Sequence, residues 1–127
     1  MPTPVLISEA ESRVMEPLWR HAPLSSEDIV TAVLRDSDWH EKTIRTLLSR
    51  LVHKGAVVAE KDGRRYLYSP ALTRAAWQSQ ESHSLLDRVF GGRLSPLLAH
   101  FSAHEKLGEK EVAELRKLLE LIEQKGR

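Results

Sequence analysis

The chain contains no cysteine. That excludes disulfides and any thiolate metal site. No apolar run approaches the roughly 20 residues needed to span a membrane. The opening stretch, Met1-Pro-Thr-Pro-Val-Leu-Ile-Ser8, lacks the basic segment and apolar core of a signal peptide. A cytoplasmic location without membrane insertion is therefore expected. Nor is one sign of charge in excess: 19 Lys and Arg face 18 Asp and Glu, a net charge of +1. A protein that coats nucleic acid without specificity would be far more basic. Internal repeats and low-complexity tracts are absent, and 127 residues suit one domain or a small domain with an appendage.

Catalytic signatures are missing too. No serine sits in a Gly-x-Ser-x-Gly turn, and there is no glycine-rich phosphate loop. His40-Glu41 and His104-Glu105 do not continue into a zinc-protease helix, because the required positions hold Ile44, and Leu107 or Gly108. His100 and His104 have the four-residue spacing of a two-histidine metal face, but a site needs three or four ligands and a third is not evident. The expectation is a protein that is not an enzyme and needs no cofactor or metal.

What is present is local. Between Lys42 and Arg65 stand Lys42, Arg45, Arg50, Lys54, Lys61, Arg64 and Arg65 against only Glu60 and Asp62. The same stretch reads as a helix closed by Gly55, then a two-stranded ribbon turning at Asp62-Gly63. In the helix Ile44, Leu47, Leu48, Leu51 and Val52 recur at inward spacing. The other faces hold Lys42, Thr43, Arg45, Thr46, Ser49 and Arg50. A cationic, hydroxyl-rich helix face beside a basic ribbon suits a DNA major groove and its flanking phosphates. Lys42, Thr43, Arg45 and Thr46 lie early in the helix, where base edges are reached. Ser49, Arg50 and Lys54 lie further along, where phosphates are. Arg64 and Arg65 follow the ribbon turn and are expected at phosphates or the minor groove. Tyr66 and Tyr68 share one strand face, and packing is expected for at least one of them.

The preceding segments complete the pattern. Ser8 and Glu11 form a capping box before Ala10, Val14 and Leu18, with Met15 and Trp19 widening the stripe and Pro17 costing one hydrogen bond. Ser25 or Ser26 caps a second helix bearing Ile29, Val30, Val33 and Leu34. Helix, helix, helix, hairpin over residues 1–70 is the order of a winged helix-turn-helix. Trp19 and Trp39 are expected in its core. Residues 71–127 read as helices only: Ala71 to Phe90, a second with Ser95 as cap and Pro96 in its first turn, and Glu109 to Lys125. This region is too small to be stable alone. Its leucines predict a second copy as partner, with Leu85, Leu86, Val89, Phe90, Leu97, Leu98, Phe101, Leu115, Leu119 and Ile122 at the seam and Trp77 a candidate to join it. A two-fold dimer would place two recognition helices on a palindromic site. The fold class expected is mostly α with a small β-hairpin.

Several blocks carry a family resemblance. Ile7-Ser-Glu-Ala-Glu11, Val14-Met15, Leu18-Trp19, Trp39, Lys42-Thr-Ile-Arg-Thr-Leu-Leu-Ser-Arg-Leu51, Lys54-Gly55, Gly63-Arg64, Tyr66, Tyr68-Ser-Pro70 and Leu98-Ala-His-Phe101 resemble the BlaI/MecI penicillinase-repressor family. The resemblance covers nearly the whole chain. It implies a dimeric repressor with an N-terminal winged helix, a helical dimerisation region and a palindromic operator of β-lactamase or cell-wall genes. It also implies a membrane sensor protease that answers β-lactam and ends repression by cutting an Asn-Phe bond. The matching bond here is His100-Phe101: the phenylalanine is kept and the asparagine is not. Copper-responsive relatives sense metal through C-terminal cysteines, which this chain lacks. Two functional classes stand beside the repressor reading: a winged-helix protein-interaction module that does not touch DNA, and a repressor answering a bound ligand or metal. The basic, hydroxyl-rich face favours DNA, because a protein-binding face would be more apolar or aromatic.

Overall fold

The computed structural model describes residues 5–126. In chain order it comprises α1 (Glu9–Arg20), β1 (Leu24–Ser25), α2 (Ser26–Arg35), α3 (Glu41–Lys54), β2 (Val57–Asp62), β3 (Arg65–Pro70), α4 (Arg74–Val89), α5 (Leu94–His104) and α6 (Glu109–Lys125). Two compact units divide after Glu81, inside α4.

The first unit is a winged helix-turn-helix. Its core is built from Val14, Met15 and Leu18 of α1, Ile29, Val30 and Val33 of α2, and Ile44, Leu47, Leu48 and Leu51 of α3. Leu34 is the exception on α2: it is exposed, one position past the buried stripe. Helix starts follow local chemistry. Ser8 Oγ accepts from Glu11 N at 3.1 Å while Glu11 Oε1 accepts from Ser8 N at 2.8 Å, the reciprocal capping box. Ser25, not Ser26, caps α2, its Oγ accepting from Asp28 N at 3.1 Å. α1 continues through Pro17. Gly55 ends α3 at φ 86°, a conformation that side-chain-bearing residues avoid.

The sheet has three antiparallel strands in the order β1-β3-β2, one more than the ribbon expected. β1 is two residues long and pairs Leu24 with Tyr68 and Ser25 with Leu67. In the wing, Asp62 pairs with Arg65, so the turn residues are Gly63 and Arg64 rather than Asp62 and Gly63. Gly63 has φ 65° and Arg64, like every other non-glycine among the described residues, has negative φ, the pattern of a II′ hairpin.

The first unit extends past Pro70 because the start of α4 is fastened to α1. Trp77 and Trp19 stack with ring centroids 5.2 Å apart. Arg74 pairs with Glu16 at 2.7 Å and lies over the Trp19 ring. Trp19 Nε1 donates to the Leu72 carbonyl at 2.9 Å. Trp77, a candidate for the dimer seam, thus packs on the winged helix within the chain.

The second unit is helical and has no fully buried residue in α5, α6 or its part of α4. α4 starts at Arg74, with Thr73 Oγ1 accepting from Ala76 N at 3.1 Å, so it begins three residues after Ala71. α5 starts at Leu94 with Arg93 at the cap position, which puts Ser95 inside the helix rather than before it. Pro96 still lies in the first turn, where its missing N–H costs nothing. α6 has the bounds expected.

Candidate nucleic-acid interface

α3 carries the candidate interface. Its apolar stripe faces the core, so Lys42, Thr43, Arg45, Thr46, Ser49 and Arg50 are all left exposed. The amphipathic period that buries Ile44, Leu47, Leu48 and Leu51 is thus also what presents the polar face. Lys42 and Arg50 make no ion pair among the described residues, nor does Arg64 at the wing turn. Arg65 pairs with Asp62 at 3.6 Å with both side chains exposed. Thr46 Oγ1 donates to the Lys42 carbonyl at 2.9 Å, which uses its hydroxyl proton within the helix.

Arg45 is held on two sides. Its Nη2 lies 3.3 Å from Glu41 Oε1, and its Nη1 lies 3.2 Å from Ser26 Oγ at the start of α2. The Glu41–Arg45 pair is exposed and four residues apart, so it adds only about 0.3–0.5 kcal/mol to stability. Neither Glu41 nor Ser26 was among the residues expected at DNA. The four-residue Glu–Arg spacing was readable in the sequence; the approach of Ser26 depends on the crossing of α2 and α3 and was not.

Lys54 behaves differently from the other cations. Its ammonium donates to Glu11 Oε1 at 2.6 Å and to the Leu6 carbonyl at 3.2 Å. Glu11 is only 2 % exposed. Burial pushes its carboxyl up, but the Lys54 hydrogen bond, the Ser8 hydrogen bonds and the lysine charge outweigh that, and its pKa lies below the ordinary glutamate value. Lys54 was expected at phosphate; within the chain its charge is paired with a buried carboxylate instead of standing free.

Tyr68 packs against the core, while Tyr66 is exposed on the wing. Trp39 packs on the core edge, with the Arg13 guanidinium over its ring. In α5, His100 and His104 have ring centroids 4.5 Å apart. Among the described residues no group of three or more His, Asp or Glu side chains is placed to hold a metal, and no helix is long and apolar enough to cross a membrane.

The profile of the penicillinase repressor family matches residues 7–121. This chain belongs to that family. Its members are DNA-binding transcriptional repressors of the BlaI/MecI type, not a class of enzymes. The chain is 35 % identical to the penicillinase repressor of Bacillus licheniformis over 114 residues, which covers 90 % of this chain and 89 % of the relative. It is 32 % identical to the methicillin resistance regulatory protein MecI of Staphylococcus aureus strain N315, covering 89 % and 92 %. Among solved structures it resembles the monomeric form of Bacillus licheniformis BlaI in complex with the blaP half-operator, with 35 % identity, a TM-score of 0.50, and 56 % of this chain and 87 % of that one covered. The BlaI/MecI resemblance expected from the Lys42–Leu51 and Leu98–Phe101 blocks is thereby established.

Proposed function

We propose that this repressor binds a palindromic operator as a two-fold dimer, with α3 in the major groove and the wing at the flanking backbone. The observation that carries the reading is the division of α3. Its apolar stripe is buried, and every remaining side chain of its first ten residues is polar and solvent-facing. Lys42, Thr43, Arg45 and Thr46 read base edges, with Arg45 the candidate for a bidentate guanine contact. Ser49, Arg50, Arg64 and Arg65 hold phosphates. Lys54 is left out of the contact set. The half-operator complex of the similar BlaI supports DNA as the ligand.

The second unit supplies the dimer contact. Leu85, Val89, Leu98, Phe101, Leu119 and Ile122 are exposed in the single chain, and Leu86, Phe90, Leu97 and Leu115 are only half-buried. Apolar side chains this exposed mark a surface that a partner covers. The regulated genes belong to β-lactam or cell-wall stress, as the names of the relatives suggest. Release follows cutting at His100-Phe101 by a membrane sensor protease, which would sever α6 from the winged helix.

A gel shift with the chain's own upstream DNA tests the core of this reading. The unmodified protein is expected to shift one palindromic site in the presence of competitor DNA, and Arg45→Ala to lose that preference at a cost of about 1–3 kcal/mol. Unchanged operator affinity and preference in Arg45→Ala would overturn the assignment of α3. No shift with any genomic fragment would favour a protein-interaction module instead. Co-expression with the sensor protease and β-lactam, followed by fragment masses, tests the cleavage: an intact chain on a released operator would replace it with a directly bound ligand.

A further inference from the structure

We infer that Glu41 is a specificity-determining residue that acts through Arg45, holding it ready for a base and away from phosphate. The inference rests on the proposal that Arg45 faces base edges.

The geometry is a two-sided bracket. Glu41 Oε1 takes Arg45 Nη2 at 3.3 Å and Ser26 Oγ takes Nη1 at 3.2 Å. Glu41 is the only acidic residue of α3, and it lies one turn before Arg45 on the exposed face. An arginine side chain is long and has many rotamers, so an unbraced one loses conformational freedom whenever it makes a defined contact. A guanidinium has five N–H donors. The bracket occupies one on each terminal nitrogen and leaves three free for a base. The bidentate fork is thus oriented before DNA arrives.

The carboxylate has a second effect. A phosphate approaching the start of α3 meets the Glu41 charge as well as the Arg45 charge. A phosphate that takes the free donors of Arg45 must tolerate the exposed Glu41 carboxylate beside them. A guanine edge carries no formal charge and offers O6 and N7 to a guanidinium that stays in place. Glu41 therefore penalises the backbone contact that every sequence offers and spares the base contact that only the right sequence offers. This is specificity by an unfavourable interaction with the competitor. It also fits the charge balance of the chain, which is nearly neutral although its interface is basic.

Two variants of the full-length protein test the proposal, each measured on the operator and on a scrambled duplex of equal length across a salt series. Glu41→Ala removes the brace and the charge. It is expected to bind the scrambled duplex several-fold more tightly. Its log–log salt slope on that duplex should steepen by about 0.9 per protomer, one added phosphate contact. The ratio of operator to scrambled affinity should fall by about threefold to fivefold, the size two such exposed pairs per dimer can contribute. Glu41→Gln keeps an acceptor for Arg45 and loses the charge, and should lie between. Because Glu41 begins a helix, a purely structural role would lower the melting temperature and weaken both duplexes alike with unchanged slope. That result, or an unchanged affinity ratio, would overturn the proposal. Arg45→Ala in the same series separates the two levels. If it leaves operator affinity untouched, the reading of α3 fails; if it costs affinity while Glu41→Ala leaves the ratio unchanged, only the role of Glu41 fails.

Discussion

Lys54 Nζ lies 2.6 Å from Glu11 Oε1, joining the last turn of α3 to the first turn of α1. The same carboxylate oxygen accepts from Ser8 N, so one atom serves a helix cap and an ion pair. Among the described residues, Glu11 Oε2 is buried without a hydrogen-bond partner. Lys54→Ala would leave that carboxylate buried and largely uncompensated. The loss is expected to be about 1–3 kcal/mol, below the range for a fully buried pair because the lysine side chain is partly in solvent. Urea unfolding measures it. Operator affinity should fall only as far as the folded fraction does. A variant with unchanged stability and weakened DNA binding would return Lys54 to the phosphate contacts.

The same pair sets a pH dependence. The folded-state pKa of Glu11 is lowered, so the native protein binds this proton less readily than the unfolded chain does. Its contribution to stability is complete above the ordinary glutamate value of the unfolded chain and fades as pH falls through the lower folded value. Glu11→Gln should therefore be less stable than the unmodified protein at neutral pH, with the gap closing in acid. Unfolding midpoints at a series of pH values test this. A gap independent of pH would mean that the glutamate acts by shape, not charge.

Trp77 should matter to the winged helix. Its stack on Trp19, beside the Arg74–Glu16 pair, predicts a cost of about 1–3 kcal/mol for Trp77→Ala, less than for a fully buried tryptophan. A fragment ending at Pro70 should be less stable than one ending at Glu81. Equal stability of the two fragments would make the stack incidental.

Much of this was legible in the sequence because the signals are local. The Ser8/Glu11 box, the α3 stripe ending at Gly55 and the glycine of the wing each depend on residues within a few positions of one another. What escaped depends on tertiary approach. β1 is too short to show periodicity and exists only because β3 passes beside Leu24 and Ser25. Trp77 read as a candidate for the dimer seam because the ring it packs against, Trp19, lies 58 positions earlier. Lys54 read as a phosphate contact because its spacing along the helix is right, while the acid that claims it lies 43 positions away. The exposure of Arg45 and its neighbours was legible because a helix that buries one stripe has no choice about the other.

DNA binding should fall steeply with salt. If the dimer neutralises about six to ten phosphates, affinity drops by about three to five decades between roughly 50 and 200 mM salt. Arg50→Ala and Arg64→Ala should each flatten the slope by about one and weaken all sequences alike. A slope that neither variant changes would remove both from the phosphate contacts.

The C-terminal leucines give the last prediction. In the single chain Leu119 and Ile122 are 55 % and 59 % exposed, and among the described residues their unit has no buried residue to form a core. An aspartate at either position meets mostly solvent within one chain, so Leu119→Asp or Ile122→Asp should leave the winged helix folded. In a dimer sealed by these side chains the same aspartate would be buried without a partner, which is strongly unfavourable. The variants should therefore sediment as monomers at micromolar concentration, with melting of the winged helix little changed. Operator affinity should collapse towards that of one half-site, because two linked half-sites bind with an effective concentration that separate monomers lack. A single half-site should be bound about as well as before. Variants that stay dimeric would move the seam away from α6.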